Sequence, residues 1–428
     1  MRAFQERLTN GFYALISLPS TAMGFALSIQ ISALSWLLTT KYHLDIHQVG
    51  FVWAAGPLAG IVGQVVIGLI SDRVWFWGGR RRPFILIGGT LAALMLLALP
   101  NIDMINDTLG IGSLLGVAIA VALTLDLAIN ISFNPTRSII ADVTPEGEAR
   151  TKGYTWMQTI SGFFGVMAYV IGAAAGNYVL ISVGVVVVFL CSVVPVMFIT
   201  ERRELEDTPA TEGKATAVAS RWGELIRVYI AHGFSWIGVQ AMFVYIIAFI
   251  QQKMLATSDP GAIAEGSGRI IAISFAVLNT VGFLLPAPVL EPLAMRFGRV
   301  HVHLTALAIM AAAYLAIAFA GTSPVMLYLL MAVAGIGWAS IVSLPFAIMT
   351  EKVERSRMGF FMGIFNLSVV LPQLFVSLVL GTVIHRAEDK SIIFLISGVS
   401  LAVSAVLWLL VHEPKRNSAT DSAGGNTQ

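Results

Sequence analysis

Uncharged apolar runs, repeated along the whole chain, limit what this sequence can fold into. Residues 86–99 and 179–199 contain no Asp, Glu, Lys, Arg or His, and comparable stretches recur from near the N-terminus to near the C-terminus. A bilayer core asks for roughly 20 apolar residues per helix, whereas a membrane β-barrel alternates apolar and polar residues over segments of about ten. The runs here are continuous, so they read as membrane helices. Composition agrees: of 428 residues, 57 % are hydrophobic and 12 % charged, against about 25 % charged in a soluble chain. Net charge is +2 and no long basic run exists, which argues against a nucleic-acid partner. Cys191 is the single cysteine, so neither an intrachain disulfide nor a cysteine metal cluster is available.

Twelve spans can be drawn, at about 12–39, 48–70, 83–100, 110–140, 153–176, 178–199, 223–250, 269–290, 301–320, 324–349, 358–383 and 391–411. The one substantial interruption, residues 201–221, is polar and charged. It divides the chain into an N-terminal six-helix bundle (1–200), a central loop (201–221) and a C-terminal six-helix bundle (222–414), followed by a Ser/Thr/Asn/Gly-rich tail (415–428) expected to be disordered. The apolar run after Arg7 is too long for the core of a cleavable signal and reads as the first span.

Lysine and arginine set the orientation. With both termini inside, twenty of the 26 fall on the inner side, five (Lys41, Lys253, Arg269, Arg386 and Lys390) on the outer side, and Arg137 lies in or near a span. The expectation is an all-α, multi-pass protein of the cell membrane (the inner membrane in a Gram-negative cell) with both termini cytoplasmic. Two six-helix halves joined by an inner loop suggest the parallel repeats of the major facilitator plan. A weak repeat supports this. Asp72, Arg73 and Gly79-Arg80-Arg81-Arg82 follow the second span, and Glu291, Arg296, Gly298 and Arg299 follow the eighth. This inner-loop pattern is the candidate gating motif.

An ionisable group at mid-bilayer is costly, which marks it as a functional candidate. Asp126 lies near the centre of the fourth span among Leu123, Leu125 and Leu127, and Arg137 follows eleven residues later. Eleven steps of about 100° are close to three turns, so a straight helix would point both the same way, roughly 16 Å apart, unless Pro135 kinks it. Asn130 and Asn134 extend the polar face. A carboxylate can take up and release a proton, whereas arginine stays charged. Asp126 is therefore the candidate proton-coupling group, with Arg137 as a partner or a donor to hydroxyls; a buried pair that only fixes packing is the alternative.

Other polar side chains in apolar runs are Gln30, Ser32, Gln64, Gln158, Gln240, Tyr245, Asn279, Asn366 and Gln373. Neutral amides suit an uncharged polyhydroxyl ligand, although each can equally bond helices together. Trp36, Trp53, Trp156, Trp236 and Trp338 are candidate platforms for sugar faces, or interfacial anchors. His301 and His303, read as loop residues, have no third ligand nearby, so no metal site is expected. HExxH, Walker and Gly-x-Ser-x-Gly patterns are missing from the sequence, which disfavours an ATP-driven pump and an enzyme.

Several stretches resemble the sucrose–proton symporters, the plant sucrose carriers and their animal and bacterial relatives, near the glycoside–pentoside–hexuronide cation symporters. Ser71-Asp72-Arg73 with Gly79-Arg80-Arg81-Arg82-Pro83-Phe84-Ile85 is similar to that family's SDR…GRRRPFI loop. Asp126, Asn130, Pro135, Arg137 and Asp142 follow its DxANN…GPxRA…AD segment with the same Asp-to-Arg spacing. Gly335-Ile336-Gly337-Trp338 resembles its tenth span, and Asn366 with Pro372-Gln373 its eleventh; Gln30 and Ser32 match the polar pair of the first. The resemblance implies Asp126 as protonation site and Arg137 as partner in coupling or sugar binding. Two departures exist. The plant carriers' DxDWxGRE cluster at the outer end of span seven is replaced by Ala248-Phe249-Ile250-Gln251-Gln252-Lys253, and their histidine near the start of span two falls at Ile46, one place from His47.

The sequence is accordingly expected to encode a proton-coupled importer of a disaccharide (sucrose, maltose or a related α-glucoside), acting as a monomer in the bilayer without a cofactor, H⁺ being the coupling ion. The rival readings are a Na⁺-coupled glycoside symporter, an H⁺-antiporting exporter of the same fold, and a non-transporting membrane sensor. Gln30, Ser32, Gln64, Asn130, Asn134, Gln158, Gln240, Asn279, Trp338, Asn366 and Gln373 are the candidate sugar contacts.

Overall fold

The computed structural model describes residues 7–60, 70, 74–145, 148–201, 222–350, 352 and 358–412. Regular structure among these residues is helical, apart from one isolated antiparallel bridge between Phe76 and Gly79. Helix α1 runs Asn10–Thr40 with a π turn at Gln30–Leu34. α2 begins at Ile46–Trp53 and its expected course enters 61–69, outside the described residues. Then come α3 (Arg82–Leu109), α4 (Leu114–Val143), α5 (Glu148–Ala175) and α6 (Asn177–Phe198). In the second half, α7 is Trp222–Lys253, and α8 is Pro260–Leu284 prolonged by a π turn at Pro286–Leu290 into Glu291–Phe297. α9 is Arg299–Ala320, and α10 is Pro324–Ile341 followed by Leu344–Thr350. α11 is Met358–Phe375, a π turn at Val376–Leu380 and Gly381–Arg386, and α12 is Ile392–Trp408. Among the described residues ten helices are long and apolar enough to cross a membrane, and α12, with 17 residues, is slightly shorter.

Local chemistry sets where the helices begin. The first N–H groups of a helix lack partners within it, and short polar side chains satisfy them. Thr9 accepts from Phe12 N at 3.3 Å, Ser113 from Gly116 N at 3.1 Å, and Asp259 from Ala262 N at 2.8 Å. Asp45 and Gln48 form a reciprocal capping box ahead of α2. α8 and α9 are joined by a single residue, Gly298, at φ +90°, a conformation that favours glycine.

The packing partners repeat with a period of six helices. α1 packs on α5 and α6, and α3 on α4 and α6; α7 packs on α11 and α12, and α9 on α10 and α12. Between the halves, α5 meets α8, and the last part of α11, Gly381–Arg386, meets α2. The weak motif repeat in the sequence thus has a structural counterpart in the packing order. Small residues allow close approach: a Cβ on Gly162 of α5 would lie 2.3 Å from the Phe283 ring of α8.

Three boundaries differ from expectation. α8 begins at Pro260, nine residues before 269, because its first turns are small and polar and lack an apolar run. α3 continues past 100 to Leu109 through a short 3₁₀ stretch, Leu99–Asn101. His301 and His303 lie on helix α9 instead of a loop; His303 is fully buried and His301 exposed, so they face different ways. Most of the expected central loop and the whole tail lie outside the described residues.

Candidate functional site

Asp126 sits midway along α4 and is 6 % exposed. Its Oδ2 accepts a hydrogen bond of 3.0 Å from Gln30 Nε2 on α1. Gln30, 3 % exposed, is the first residue of the π turn. α2 supplies a glycine at the same place: a Cβ on Gly56 would lie 3.1 Å from Asp126 Oδ2. Three helices thus converge on one carboxylate. Asn130 Nδ2 donates to the Asp126 backbone carbonyl at 2.8 Å, and Asn134 is half-buried one turn further on. Ser32 is buried, and its hydroxyl has no protein partner.

Arg137 does not join this cluster. Pro135 is accommodated within a continuous α4, and Arg137 is exposed, its guanidinium lying 4.2 Å from the centre of the Phe133 ring. Its backbone carbonyl accepts from the Tyr154 hydroxyl of α5 at 3.2 Å. Asp126 and Arg137 form no ion pair in this conformation.

The second half holds two polar groups. Gln373 Nε2 of α11 donates to Gln240 Oε1 of α7 at 3.3 Å. On α8, Asn279 donates to the Phe275 carbonyl at 2.9 Å and accepts from Trp338 Nε1 of α10 at 3.2 Å. The Trp338 ring meets Trp236 and Phe243 edge-to-face, at 6.1 and 5.3 Å between centroids. Asn366 is half-buried, and Gln158 on α5 is exposed. Gln64, Asp72 and Arg73 lie outside the described residues.

Side-chain bonds bridge the halves at the end that the arginine placement predicts to be the outer one. Ser35 donates to the Val244 carbonyl at 2.9 Å, Trp36 Nε1 to the Ala264 carbonyl at 2.6 Å, and His47 Nδ1 lies 2.9 Å from the Thr382 hydroxyl. Trp53 Nε1 donates to Ser35 Oγ at 2.8 Å, so these two tryptophans of the expected platforms are engaged in closing this end. Tyr245, fully buried, donates to the Val376 carbonyl at 3.2 Å. The halves are bonded together here, whereas Gln158 and Arg137 are exposed.

At the end expected to be the inner one, Gly79-Arg80-Arg81-Arg82 forms an anion clamp. The Glu201 carboxylate, 6 % exposed, accepts from the backbone N–H groups of Arg80 (2.7 Å), Arg81 (3.0 Å) and Arg82 (2.8 Å) at the start of α3. The positive end of the helix favours such an anion. Gly79 leaves room for the carboxylate, since a Cβ there would fall 2.3 Å from Glu201 Oε1 and push that side chain aside. Arg81 Nε reaches Asp142 at 3.2 Å, and Arg80 Nη2 the same carboxylate at 3.8 Å. The clamp ties the end of α6 to α3 and α4. Glu201→Ala leaves three backbone N–H groups, that of Arg81 buried and those of Arg80 and Arg82 part-buried, without their charged acceptor and should lower stability by about 2–3 kcal/mol. A thiol-reactive dye reporting exposure of Cys191 on α6 during heating measures this; an unchanged midpoint would refute it.

Sequence reasoning missed Glu201, which looked like the first residue of a linker, and Gly56, whose role is to leave room. His47 was noted only for its offset, without its partner Thr382.

Comparison with known proteins adds a family. The model of the Major Facilitator Superfamily matches residues 17–276 and 241–427. The sucrose transport protein SUT2 of Oryza sativa subsp. indica is 26 % identical over 392 residues, covering 76 % of this chain and 78 % of that protein. The general alpha-glucoside permease of Schizosaccharomyces pombe is 29 % identical over 174 residues, 36 % of this chain and 31 % of that one. Among solved structures, the nucleoside transporter NupG superimposes with a TM-score of 0.72 at 13 % identity, covering 95 % of this chain and 100 % of the other. The inward-open xylose transporter XylE from E. coli gives 0.66 at 15 % identity, covering 95 % and 97 %. At these identities the structural likeness concerns the fold alone.

Proposed function

The chain belongs to the major facilitator superfamily, and on that premise we propose that it imports a disaccharide of the sucrose or α-glucoside type together with a proton, by alternating access between its halves. The observation that carries this reading is Asp126: a buried carboxylate that, among the described residues, is met by the Gln30 amide and by no cation at ion-pair distance. A charge in such a place is costly, and the group can change its charge only by exchanging a proton. The neutral amides of Gln240, Gln373 and Asn279 and the flat rings of Trp338, Trp236 and Phe243 suit an uncharged, polyhydroxylated ligand; the curated relatives named for sucrose and α-glucosides favour the same class.

The cycle follows from these parts. With the outer end open, sugar enters between the halves and a proton reaches Asp126. Neutral Asp126 removes the cost of a buried charge, and the outer contacts Ser35–Val244, Trp36–Ala264 and His47–Thr382 close. The inner side opens, sugar leaves, the proton follows, and the empty carrier resets.

Uptake of radiolabelled sucrose, maltose, trehalose and glucose into proteoliposomes under an imposed pH gradient tests the whole reading. Accumulation of a disaccharide that collapses with a protonophore is expected. Accumulation driven by Na⁺ at fixed pH, or proton-driven extrusion, would replace it with another coupling. Arg137→Lys is expected to lower the uptake rate about tenfold at unchanged expression, because the planar guanidinium over Phe133 and its forked donors are lost; a rate near that of the parent would remove Arg137 from the mechanism.

A further inference from the structure

A groove of about 430 Å³ lies on the second half, between the end of α8 and helices α9 and α10. Leu293, Phe297, Val302, Thr305, Ile309 and Ile336 are among its lining residues. Its origin is legible in the chain. Residues Pro260–Leu284 of α8 pack on α10, whereas Glu291–Phe297 pack on α9. The change of neighbour occurs across the π turn Pro286–Leu290, where Pro286 and Pro288, followed by Pro292 in the next turn, remove backbone donors. Gly298 then turns the chain straight into α9. A groove is left where α8 parts from α10.

The groove opens away from the bundle. His301, Thr305 and Ala308 are exposed on α9 at helical spacing, as are Leu329 and Val333 on α10. It follows α9 from His301 to Ile309, about 12 Å at 1.5 Å per residue, close to the roughly 15 Å depth of one leaflet of a 30 Å hydrocarbon core. Among the described residues, charge lies near its mouth and none lines its depth. Arg296, exposed in the last turn of α8, holds its guanidinium 5.1 Å from the centre of the lining Phe297 ring. Arg299 begins α9, and His301 lines the mouth itself; the one acid of this segment, Glu291, stands at its opposite end.

We propose that this groove is a binding site for an anionic phospholipid of the leaflet on the arginine-rich side, one acyl chain lying along α9 and the phosphate meeting Arg296 and His301 at the mouth. An apolar slot one leaflet deep with cations only at its interfacial end matches the two parts of that molecule. Neutral-headgroup lipids share the chain and lack the net charge, so the site selects by headgroup.

Native mass spectrometry of the full-length protein in detergent, titrated with palmitoyl-oleoyl phosphatidylglycerol or with phosphatidylcholine of the same chains, tests the site. The parent should retain about fivefold more phosphatidylglycerol than phosphatidylcholine at equal concentration, the preference expected from one arginine. Thr305→Trp, which fills the groove from an outward-facing position, should remove the tightest-held phosphatidylglycerol. Arg296→Gln, which leaves the groove intact, should bring phosphatidylglycerol down to the phosphatidylcholine level without changing the latter. Equal retention of both lipids by the parent would overturn the proposal. So would unchanged retention in Thr305→Trp by a variant that elutes as a single folded species. Displacement of the lipid by inorganic phosphate alone would show a free-anion site and would likewise overturn it.

Discussion

Asp126→Asn should abolish accumulation of sugar against its gradient while leaving exchange down the gradient in place. The amide keeps the shape and can still meet Gln30, which now bonds to Asp126 at 3.0 Å, but it carries no exchangeable charge through the cycle. A membrane potential of 100 mV acting on one co-transported proton supplies about 2.3 kcal/mol, enough for roughly fiftyfold accumulation. In the variant the internal-to-external ratio should settle near unity. The paired measurement is counterflow, in which vesicles preloaded with unlabelled sugar take up label without any ion gradient; it should persist. Undiminished uphill uptake would exclude Asp126 from coupling. Loss of counterflow together with accumulation would make it a structural group.

Gly50→Val is expected to hold the outer end open. A Cβ on Gly50 of α2 would lie 2.3 Å from the Ser377 carbonyl oxygen and 2.7 Å from the Tyr245 hydroxyl. The carbonyl is backbone and cannot rotate aside, so α2 must withdraw from α11. Overpacking of this kind costs about 1–3 kcal/mol, which shifts a two-state equilibrium roughly five- to hundredfold. The measurement is the labelling rate of Ser377→Cys, in a background with Cys191→Ser, by a membrane-impermeant maleimide added outside. Ser377 is 1 % exposed in the closed form, so labelling should be slow in the parent and faster by that factor in the valine variant, with transport falling in parallel. Equal labelling rates would mean that the closed end tolerates the side chain.

Much of this molecule could be read before its structure. Apolar runs are local, so the helices could be drawn from composition and arginine placement, and a deep acid such as Asp126 stands out because charge is scarce. What escaped the sequence depends on distance along the chain. Gln30 meets Asp126 across 96 residues and His47 meets Thr382 across 335, and no spacing rule connects such pairs. Glu201 looked like the start of a charged linker because its partners are backbone N–H groups, which the sequence does not advertise. Helical phase put Asp126 and Arg137 on one face with roughly 16 Å of rise between them, but it could not say what Arg137 meets there, which is the Phe133 ring and, at its backbone carbonyl, Tyr154. The early start of α8 was hidden by its small polar first turns, which carry helix caps without hydrophobicity.

The π turns in α1 and α11 have a mechanical consequence. Each divides its helix into a deep part that carries polar candidates, Gln30 at the border in α1 and Gln373 in α11, and an outer tip that makes the closure, Ser35 and Trp36 in one case and Thr382 in the other. A π turn spaces its hydrogen bonds one residue wider than the α-helix around it, so it acts as a joint within an otherwise stiff rod. In the proposed cycle the tips would swing while the walls carrying the candidate sugar contacts keep their shape. Removing one residue from such a turn would restore a uniform rod and rotate the tip by about 100°, turning the closing side chains away from their partners without altering a single residue of the site below.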